Sequence, residues 1–321
     1  MASKLKIAMY WGAGCGGCEV ALLDTEEALL TKIVSVADIV FCPLAMDTKY
    51  ADVEAMKDGE IDVCLLNGGV RNAETEHVVK TLRKKSKVVV AFGACACMGG
   101  VPGLGNQYDR KSIMDRVYSS GETTENQAGV RPSTRTAVPE GEVTLPEFFE
   151  SLTPVDEVVD VDYYLPGCPP TPEWILAAVE AIASGELPAK GTVIGLDCAL
   201  CNECPRERTG ARALDRYYRP HEIVADPDKC LMEQGIICCG PATRAGCGAR
   251  CLAANMPCRG CYGPPDGVAY QGAKMMSAAG ALISTKDEQE IQVMADQVRD
   301  ALGTFCQFAV NKKMFPKRRV A

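Results

Sequence analysis

A glycine-rich turn near the start of the chain, WGAGCGGCE at residues 11–19, carries two cysteines. Its glycines match the dinucleotide fingerprint G-x-G-x-x-G, which cradles a pyrophosphate after the first strand of a βαβ unit. Cys15 and Cys18 match C-x-x-C, a spacing that suits metal and iron–sulfur ligation. The fingerprint also requires an acid about 20 residues later, at the end of the second strand. Asp38 opens that predicted strand and Asp47 lies beyond it, so we interpret the turn as a metal site.

Two further glycine-rich turns carry cysteines, and each follows a predicted strand: FGACACMGG at residues 92–100 and LPGCPP at residues 165–170. In a parallel sheet the carboxyl ends of the strands share one edge, so the three turns should lie together. They offer enough thiolates for one cubane cluster: Cys15, Cys18, Cys95 or Cys97, and Cys168. Glycine lets the backbone approach a cluster closely, and backbone N–H groups can hydrogen-bond its sulfides. The predicted cluster-binding glycines are Gly14, Gly93 and Gly99.

The elements that must position these turns follow from the hydrophobic pattern. Short apolar runs alternate with amphipathic segments, which predicts an α/β fold with a parallel sheet. Strands are predicted at residues 6–11, 38–44, 61–68, 87–93 and 161–167. Helices are predicted at residues 19–34, 73–84 and 172–184, the last with a proline in its first turn. The polar residues 119–142 are interpreted as a surface insertion.

The composition excludes several classes of protein. A chain of 321 residues with 47% hydrophobic residues can bury a sizeable core, and its length favours two domains. It has neither an apolar run of 18 residues nor a signal-peptide pattern, so we expect a cytoplasmic protein without a membrane span. The net charge of −8 argues against a nucleic-acid partner. The basic residues 312–319 are interpreted as a solvated end or a rim for a protein partner.

The side-chain inventory favours metal chemistry based on thiolates. Cytosolic thiols stay reduced, so 18 cysteines without an export signal indicate metal binding or catalysis rather than disulfides. Zinc sites and acid–base catalysis usually rely on histidine, and the chain has two. His77 and His221 are assigned to surface or capping roles. Cys42 and Cys64 lie inside predicted strands and are interpreted as ordinary buried thiols.

The second half of the chain repeats the cysteine pattern without regular hydrophobic periodicity. CALCNECPRER, DKCLMEQGIICCGPATRAGCGARC and PCRGCYG contain enough cysteines for two more four-thiolate sites. Bound metal is the expected source of order in such a segment. Spacing alone does not separate iron–sulfur from zinc, but the strand-end site favours iron–sulfur. Residues 268–308 return to helical patterning and should pack back on the body.

These motifs, in their order and spacing, resemble the small subunit of [NiFe] hydrogenases across nearly the whole chain. CGGC, GACACMGG and PGCPP carry the resemblance in the first half, and CNECPRER, CCGPATRAGC and CRGC carry it in the second. The similarity is greatest to the cytoplasmic branch that includes the F420-non-reducing (methyl-viologen-reducing) hydrogenase of methanogens. It implies a flavodoxin-like domain at residues 1–187 and a mostly irregular and helical iron–sulfur domain at residues 188–321.

The resemblance also implies three [4Fe-4S] clusters with separate ligand sets. The proximal set is Cys15, Cys18, Cys95 and Cys168, with Cys97 spare. The distal set is Cys201, Cys204, Cys230 and Cys238, although Cys198 or Cys239 remains an alternative to one of them. The medial set is Cys247, Cys251, Cys258 and Cys261. Respiratory members have three cysteines and a proline at the medial site, so Cys251 predicts a 4Fe cluster of lower potential.

The implied function is electron transfer within a hydrogenase. The sequence shows no catalytic arrangement of its own, so H2 would be split in the hydrogenase large subunit and the electrons relayed to a partner. That partner would be a [2Fe-2S] subunit that feeds heterodisulfide reductase. Three alternatives stay open: the small subunit of the F420-reducing hydrogenase, a complex-I-like or NAD-linked relay, and a protein with structural zinc.

Overall fold

A computed structural model describes residues 4–25, 29–211 and 213–310. Its strands are β1 (Leu5–Trp11), β2 (Ala37–Phe41), β3 (Ile61–Asn67), β4 (Val70–Asn72), β5 (Ser86–Phe92), β6 (Arg135–Val138), β7 (Gly141–Thr144), β8 (Phe148–Thr153) and β9 (Tyr163–Leu165). Its helices are α1 (Gly17–Leu23), α2 (Tyr50–Ala55), α3 (Ala73–Lys85), α4 (Ala94–Met98), α5 (Arg110–Tyr118), α6 (Pro172–Ser184), α7 (Arg250–Ala253), α8 (Gln271–Gly280), α9 (Glu288–Asp296) and α10 (Ala301–Phe305). The basic residues 312–319 lie outside the described residues.

A five-stranded parallel sheet forms the centre of the first half, in the order β2-β1-β3-β5-β9. This is the strand order of flavodoxin-like folds, and all five predicted strands belong to the sheet. The inner strands are buried on both faces, with Ile61, Leu66 and Phe92 fully inaccessible, as expected for a parallel sheet covered by helices. The predicted fold class of this half is therefore confirmed.

The helix prediction succeeds at α3 and α6 but is too long after β1. Helix α6 covers the predicted residues 172–184, with Pro172 in its first turn and Gly185 in a left-handed conformation at its end. The interval 19–34 contains α1 and, separately, a π-helical turn at Leu29–Val34. Thr25 hydrogen-bonds the Leu22 carbonyl through both its backbone N–H and its hydroxyl. This local bonding competes with helix continuation.

The polar excursion lies on the surface as predicted, although it contains structure that the pattern did not indicate. Strands β6 and β7 form an antiparallel hairpin, and their residues are almost entirely exposed. Helix α5 precedes this hairpin. Strand β8 then pairs antiparallel with the short strand β4. The two-stranded sheet of β4 and β8 lies outside the main sheet.

The second half is built from short helices and turns around its own core. In its described part, backbone pairing outside helices is limited to isolated bridges, such as Ala199 with Arg244. Leu200, Leu231 and Met275 are among the buried residues of this core. The boundary after residue 187 stays a prediction, because residues beyond it still pair with β9: the Ile194 N–H donates to the Tyr164 carbonyl over 2.7 Å.

The C-terminal segment packs back on the body, as expected. Helices α8 and α10 contact each other within the second core. Phe308 and Ala309 belong instead to the core of the first half, and the Phe308 carbonyl accepts the Gly100 N–H over 3.1 Å. Among the described residues, no helix is long and apolar enough to cross a membrane.

Candidate iron–sulfur sites

The cysteine turn after β1 is held by the turn that follows β3. The Gly12 N–H donates to the Asn67 carbonyl over 2.7 Å, and Ala13 and Gly69 exchange backbone hydrogen bonds of 2.8 and 2.9 Å. A Cβ at Gly12 would lie 2.6 Å from the Gly69 oxygen, so a larger residue there would force the turns apart. The close backbone contact between the two turns explains why Gly12 is a glycine, so this part of the G-x-G-x-x-G pattern does not require a bound pyrophosphate.

The proximal set comes together at the carboxyl edge of the sheet. Burial raises the pKa of Cys18, and the charges of Glu19, Cys95 and Cys168 raise it further. Burial raises the pKa of Cys95 to about 12, with smaller contributions from Cys168 and Cys15. Burial and then the charge of Cys15 raise the pKa of Cys168. The structure thus brings four thiols from three separate turns within electrostatic reach of one another.

Two glycines with positive φ lie directly against these sulfurs. A Cβ at Gly93, where φ is +88°, would lie 2.3 Å from Cys18 Sγ. A Cβ at Gly100, where φ is +58°, would lie 2.5 Å from Cys95 Sγ. Real Cβ atoms do not approach sulfur so closely, so each position needs glycine for its space as well as its backbone.

The other two predicted cluster glycines contact backbone instead of sulfur. A Cβ at Gly14 would lie 3.3 Å from Gly68 Cα. Gly99 ends α4 with a φ of 93°, and its N–H donates to the Cys95 carbonyl over 3.0 Å. Cluster binding by Gly14 and Gly99 stays a prediction. Gly100, the last residue of the FGACACMGG turn, contacts sulfur although it was not among the predicted cluster-binding glycines.

The alternative Cys97 is buried and bonded to the strand before it. Its side chain is 3% exposed, and its Sγ donates to the Ala91 carbonyl over 3.2 Å. The charges of Cys168 and Cys15 act on the Cys95 pKa, whereas Cys97 has the smallest of the charge effects on the Cys18 pKa. The geometry therefore favours Cys95 over Cys97 as the third member of the proximal set.

A buried carboxylate stands beside the proximal thiols. Glu19 is 8% exposed, and the Asn67 side-chain amide donates to its Oε2. Its Oε1 is buried without a hydrogen-bond partner among the described residues. The nearby negative charge raises the pKa of Cys18, after the larger effect of burial. It would oppose electron uptake by a cluster bound there.

The distal set lines one cavity of about 640 Å³. Four thiols face it: Cys201, Cys204, Cys230 and Cys238. The Sγ atoms of Cys201 and Cys238 lie 3.2 and 3.7 Å from the position that a Cβ at Gly240 would take. Burial raises the pKa of Cys201 to about 11; the charge of Arg208 opposes this shift, and the other three thiols add to it.

The two alternative distal ligands stand outside this cavity in the described structure. Cys239 is 2% exposed, and its Sγ donates to the Thr304 carbonyl over 3.4 Å. Burial, followed by the charge of Cys238, raises its pKa to about 12. Cys198 is absent from the cavity lining, and its carbonyl accepts the Ala245 N–H over 2.9 Å. The structure therefore keeps the predicted four together.

Three of the four predicted medial thiols lie within electrostatic reach of one another. Burial raises the pKa of Cys261 to about 12, and the charges of Cys247 and Cys251 act on it. Cys258 lies closer to the distal set, because its N–H donates to Cys238 Sγ over 3.3 Å. The charge of Cys238 is also the largest electrostatic influence on the Cys258 pKa, which burial raises. Cys258 thus lies between the medial and distal sets.

A buried arginine ties the cysteine loops of the second half together. Arg206 is 5% exposed and donates to the carbonyls of Asp226 and Lys229 over 2.8 and 3.0 Å. These two bonds come from Nη1. Its Nη2 donates to the Leu252 carbonyl over 3.0 Å and to Asn255 Oδ1 over 2.6 Å. One guanidinium therefore connects the loop of Cys204 with the loops before Cys230 and after Cys251.

The donor sets fit iron–sulfur clusters in their chemistry. Within the described ranges, no three His, Cys, Asp or Glu side chains converge on one metal ion. The four thiolates of a [4Fe-4S] cluster bind different iron atoms, so they need not converge. A lined cavity in the second half and the glycines against sulfur in the first suit such a group.

Comparison with known proteins assigns the family. The family described as NADH ubiquinone oxidoreductase, 20 Kd subunit, matches residues 15–182. An F420-non-reducing hydrogenase subunit of Methanothermobacter thermautotrophicus is 37% identical over 325 residues, which cover 99% of this chain and 98% of that protein. The F420-non-reducing hydrogenase iron–sulfur subunit of Archaeoglobus profundus is 38% identical over 288 residues, which cover 88% of this chain and 89% of that protein. The chain belongs to the hydrogenase small-subunit family. It is accordingly an iron–sulfur, electron-transfer small subunit of a hydrogenase.

Solved structures match the fold of this hydrogenase small subunit over different lengths. The NAD+-reducing [NiFe]-hydrogenase in the H2-reduced state has a chain that is 33% identical with a TM-score of 0.50, and it covers 58% of this chain and 94% of its own length. A chain of the Dm. baculatum [NiFeSe]-hydrogenase is 21% identical with a TM-score of 0.52, and it covers 83% of this chain and 97% of its own. The second similarity shows the fold alone, and it extends into the cysteine-rich half.

Sequence reasoning missed the residues that support the ligands of this hydrogenase small subunit. Gly100 stands in the pair of glycines that ends GACACMGG, and Arg206 follows Cys204 in CNECPRER. Tyr262 follows Cys261 directly and is 2% exposed. Their closeness in sequence to predicted ligands was the available signal. Their partners lie far away along the chain, so only the structure reveals them.

Proposed function

We propose that this chain carries three [4Fe-4S] clusters on the proximal, medial and distal sets and relays electrons from H2 oxidation in a hydrogenase large subunit. The observation that supports this proposal best is the cavity in which four cysteines from two separate loops meet. When bound, each cluster supplies a one-electron acceptor at its site. The chain contributes ligation, burial and the local charge.

The surface beside the proximal set supports a contact with the large subunit. Trp11, Val20 and Leu23 are 38, 55 and 61% exposed, although each is a large apolar residue. They lie on β1 and α1, next to the turn that carries Cys15. Neighbouring exposed apolar residues often mark protein interfaces. We propose that the large subunit covers this edge.

The acceptor proposed for the distal end is a [2Fe-2S] subunit that feeds heterodisulfide reductase, in the cytoplasm. The relative with near-complete coverage is named F420-non-reducing, which favours an acceptor other than F420. The chain of the NAD+-reducing enzyme covers little more than the first half, so an NAD-linked relay would leave the second half unexplained.

Iron and acid-labile sulfide, measured per chain on anaerobically purified protein, test the number of clusters. We expect about twelve of each, with no 3Fe EPR signal in the intact oxidised protein. Cys201→Ser should lower the iron content by about four, whereas Cys198→Ser, its matched control outside the cavity, should leave it unchanged. About four irons in the parent protein would confine the relay to the first half and contradict the proposal.

The medial ligands need a separate variant. Cys251→Ser should remove or convert the medial cluster, because Cys251 supplies the thiolate that replaces a proline of respiratory members. About eleven irons in the parent, with an oxidised 3Fe signal, would show that Cys251 is not a ligand. In that case the medial site is of the respiratory kind.

A further inference from the structure

One turn connects the proximal set to the medial set. Residues 168–174 begin with a proximal ligand, Cys168, and run into the first turn of α6. Farther along, the same turn is bonded to residues that adjoin predicted medial ligands. The turn therefore lies between the two sets.

Two hydrogen bonds fix this turn against the second half. The Thr171 N–H donates to the hydroxyl of Tyr262 over 2.9 Å, and both residues are buried. The Trp174 indole N–H donates to the Gly246 carbonyl over 2.7 Å. Each second-half partner is the immediate neighbour of a predicted medial ligand, since Tyr262 follows Cys261 and Gly246 precedes Cys247.

Packing beside the turn is incomplete, so these hydrogen bonds matter for the spacing of the two sets. A cavity of about 420 Å³ lies beside the turn, lined by residues of both halves that include Tyr164, Arg244 and Tyr262. Packing is therefore incomplete along this junction. An exposed ion pair also crosses it, between Glu173 and Arg250, but their side chains are 69 and 59% exposed and such pairs contribute little.

We infer that the turn at residues 168–174 sets the distance over which electrons pass from the proximal set to the medial set, and that Tyr262 and Trp174 are positioning residues that fix this distance. This inference rests on the proposed three-cluster relay. The step moves one electron from a reduced proximal cluster to an oxidised medial cluster, and no covalent bond forms or breaks. Both side chains act by holding the turn in place.

Tyr262→Phe tests this role in the assembled hydrogenase. The variant keeps the buried ring and leaves the Thr171 N–H without its acceptor. Its matched control is Tyr217→Phe, since the Tyr217 hydroxyl donates to the Ala279 carbonyl over 2.9 Å within the second core, away from the turn. The measurement is the rate at which the reduced medial EPR signal appears after an H2 pulse, followed by rapid freezing.

We expect Tyr262→Phe to slow this step about threefold or more at full iron and sulfide content, while Tyr217→Phe keeps the parental rate. Release of the turn lets the gap between the two sets widen, and electron transfer slows as that gap grows. A parental rate in Tyr262→Phe would overturn the inference, as would equal slowing in both variants. The magnetic interaction between the two reduced clusters provides a second readout, and it should weaken in Tyr262→Phe alone.

Trp174→Phe tests the same positioning role through the second hydrogen bond of the turn, from the Trp174 indole to the Gly246 carbonyl. This variant tests the inference on its own if the Tyr262→Phe protein does not assemble. Slower transfer at full iron content supports the inference, and parental transfer contradicts it. The iron and sulfide content of the parent protein tests the proposed function separately. A parent with fewer clusters would contradict the relay, whereas a full complement with unchanged rates would contradict only this inference.

Discussion

The proximal and distal sets each gather four thiols, but different forces position them. Three turns at one edge of a parallel sheet deliver the proximal thiols, and the register of β1, β5 and β9 sets where those turns begin. The distal thiols come from irregular loops, which a buried arginine joins through backbone carbonyls. We therefore expect regular structure to hold the first site without its cofactor, and we expect the second to depend on a few polar contacts and on bound metal.

Removal of iron should separate the two regions most strongly. When clusters are extracted with an anaerobic chelator, we expect the amides of residues 198–261 to lose hydrogen-exchange protection, because metal ligation contributes to the folding of irregular loops. Amides of β3 and β5 should stay protected, since hydrophobic burial and sheet hydrogen bonds hold them. Mass spectrometry of deuterium uptake measures both regions at once. An equal loss of protection in both regions would contradict the proposed difference between them.

Arg206→Gln should produce the next largest effect. The variant leaves several buried carbonyls without a charged donor, so we expect a loss of about 2–4 kcal/mol in the free energy of unfolding. Arg208→Gln is the matched control, because Arg208 is exposed at the same cavity. Thermal unfolding of the two variants is compared, with iron release as the signal. Equal midpoints would show that Arg206 does not hold the loops together.

Gly93→Ala tests how closely the sheet edge fits the proximal thiols. The added Cβ would overlap Cys18 Sγ, and the alanine would have to adopt the positive φ of Gly93. We expect a loss of about 2–3 kcal/mol in the free energy of unfolding and a lower occupancy of the proximal cluster. Gly185→Ala has a similar φ of +74° and open space around its Cβ, so it should cost only the backbone strain of about 1 kcal/mol. Iron content and unfolding midpoints distinguish them. Full occupancy in Gly93→Ala would contradict this prediction.

Asp162 provides the smallest effect, confined to the first half. Burial raises its pKa, but hydrogen bonds from Lys190, Arg83 and the Val89 N–H outweigh burial and leave its pKa below 3.8. Because the folded pKa is lowered, the stabilisation is present above about pH 3.8 and is lost as the pH falls through the folded value.

Asp162→Asn should therefore cost about 1–2 kcal/mol at pH 7. The difference from the parent apoprotein should narrow below pH 3.8. Urea unfolding of both apoproteins, followed by the fluorescence of the first half, measures the difference. A constant difference down to about pH 2 would contradict the assignment.

The contrast between the two regions also explains what the sequence could predict. Short apolar runs that alternate with amphipathic segments identified all five strands of the sheet, and the strand ends then located Cys15, Cys95 and Cys168. This works because hydrophobic burial and local backbone preference act over short stretches of sequence. Strands β4 and β8 were not predicted, since each gains its order from the other at a distance.

The sequence of the irregular half identifies candidate ligands but does not predict their geometry. The resemblance to hydrogenase small subunits supplied the cysteines, and the structure lines one cavity with the predicted distal four. The placement of Cys258 between two sets, and the contacts of Arg206 and Tyr262, depend on loops whose conformations no periodicity encodes. Such contacts join residues tens of positions apart, so they are invisible to pattern analysis.

The burial of Phe308 has a consequence for how the chain is made. This residue enters the core of the first half, while the residues before it belong to the second. During synthesis the first half therefore lacks part of its core until residue 308 has left the ribosome. The first half should therefore complete its core only after the second half has been made.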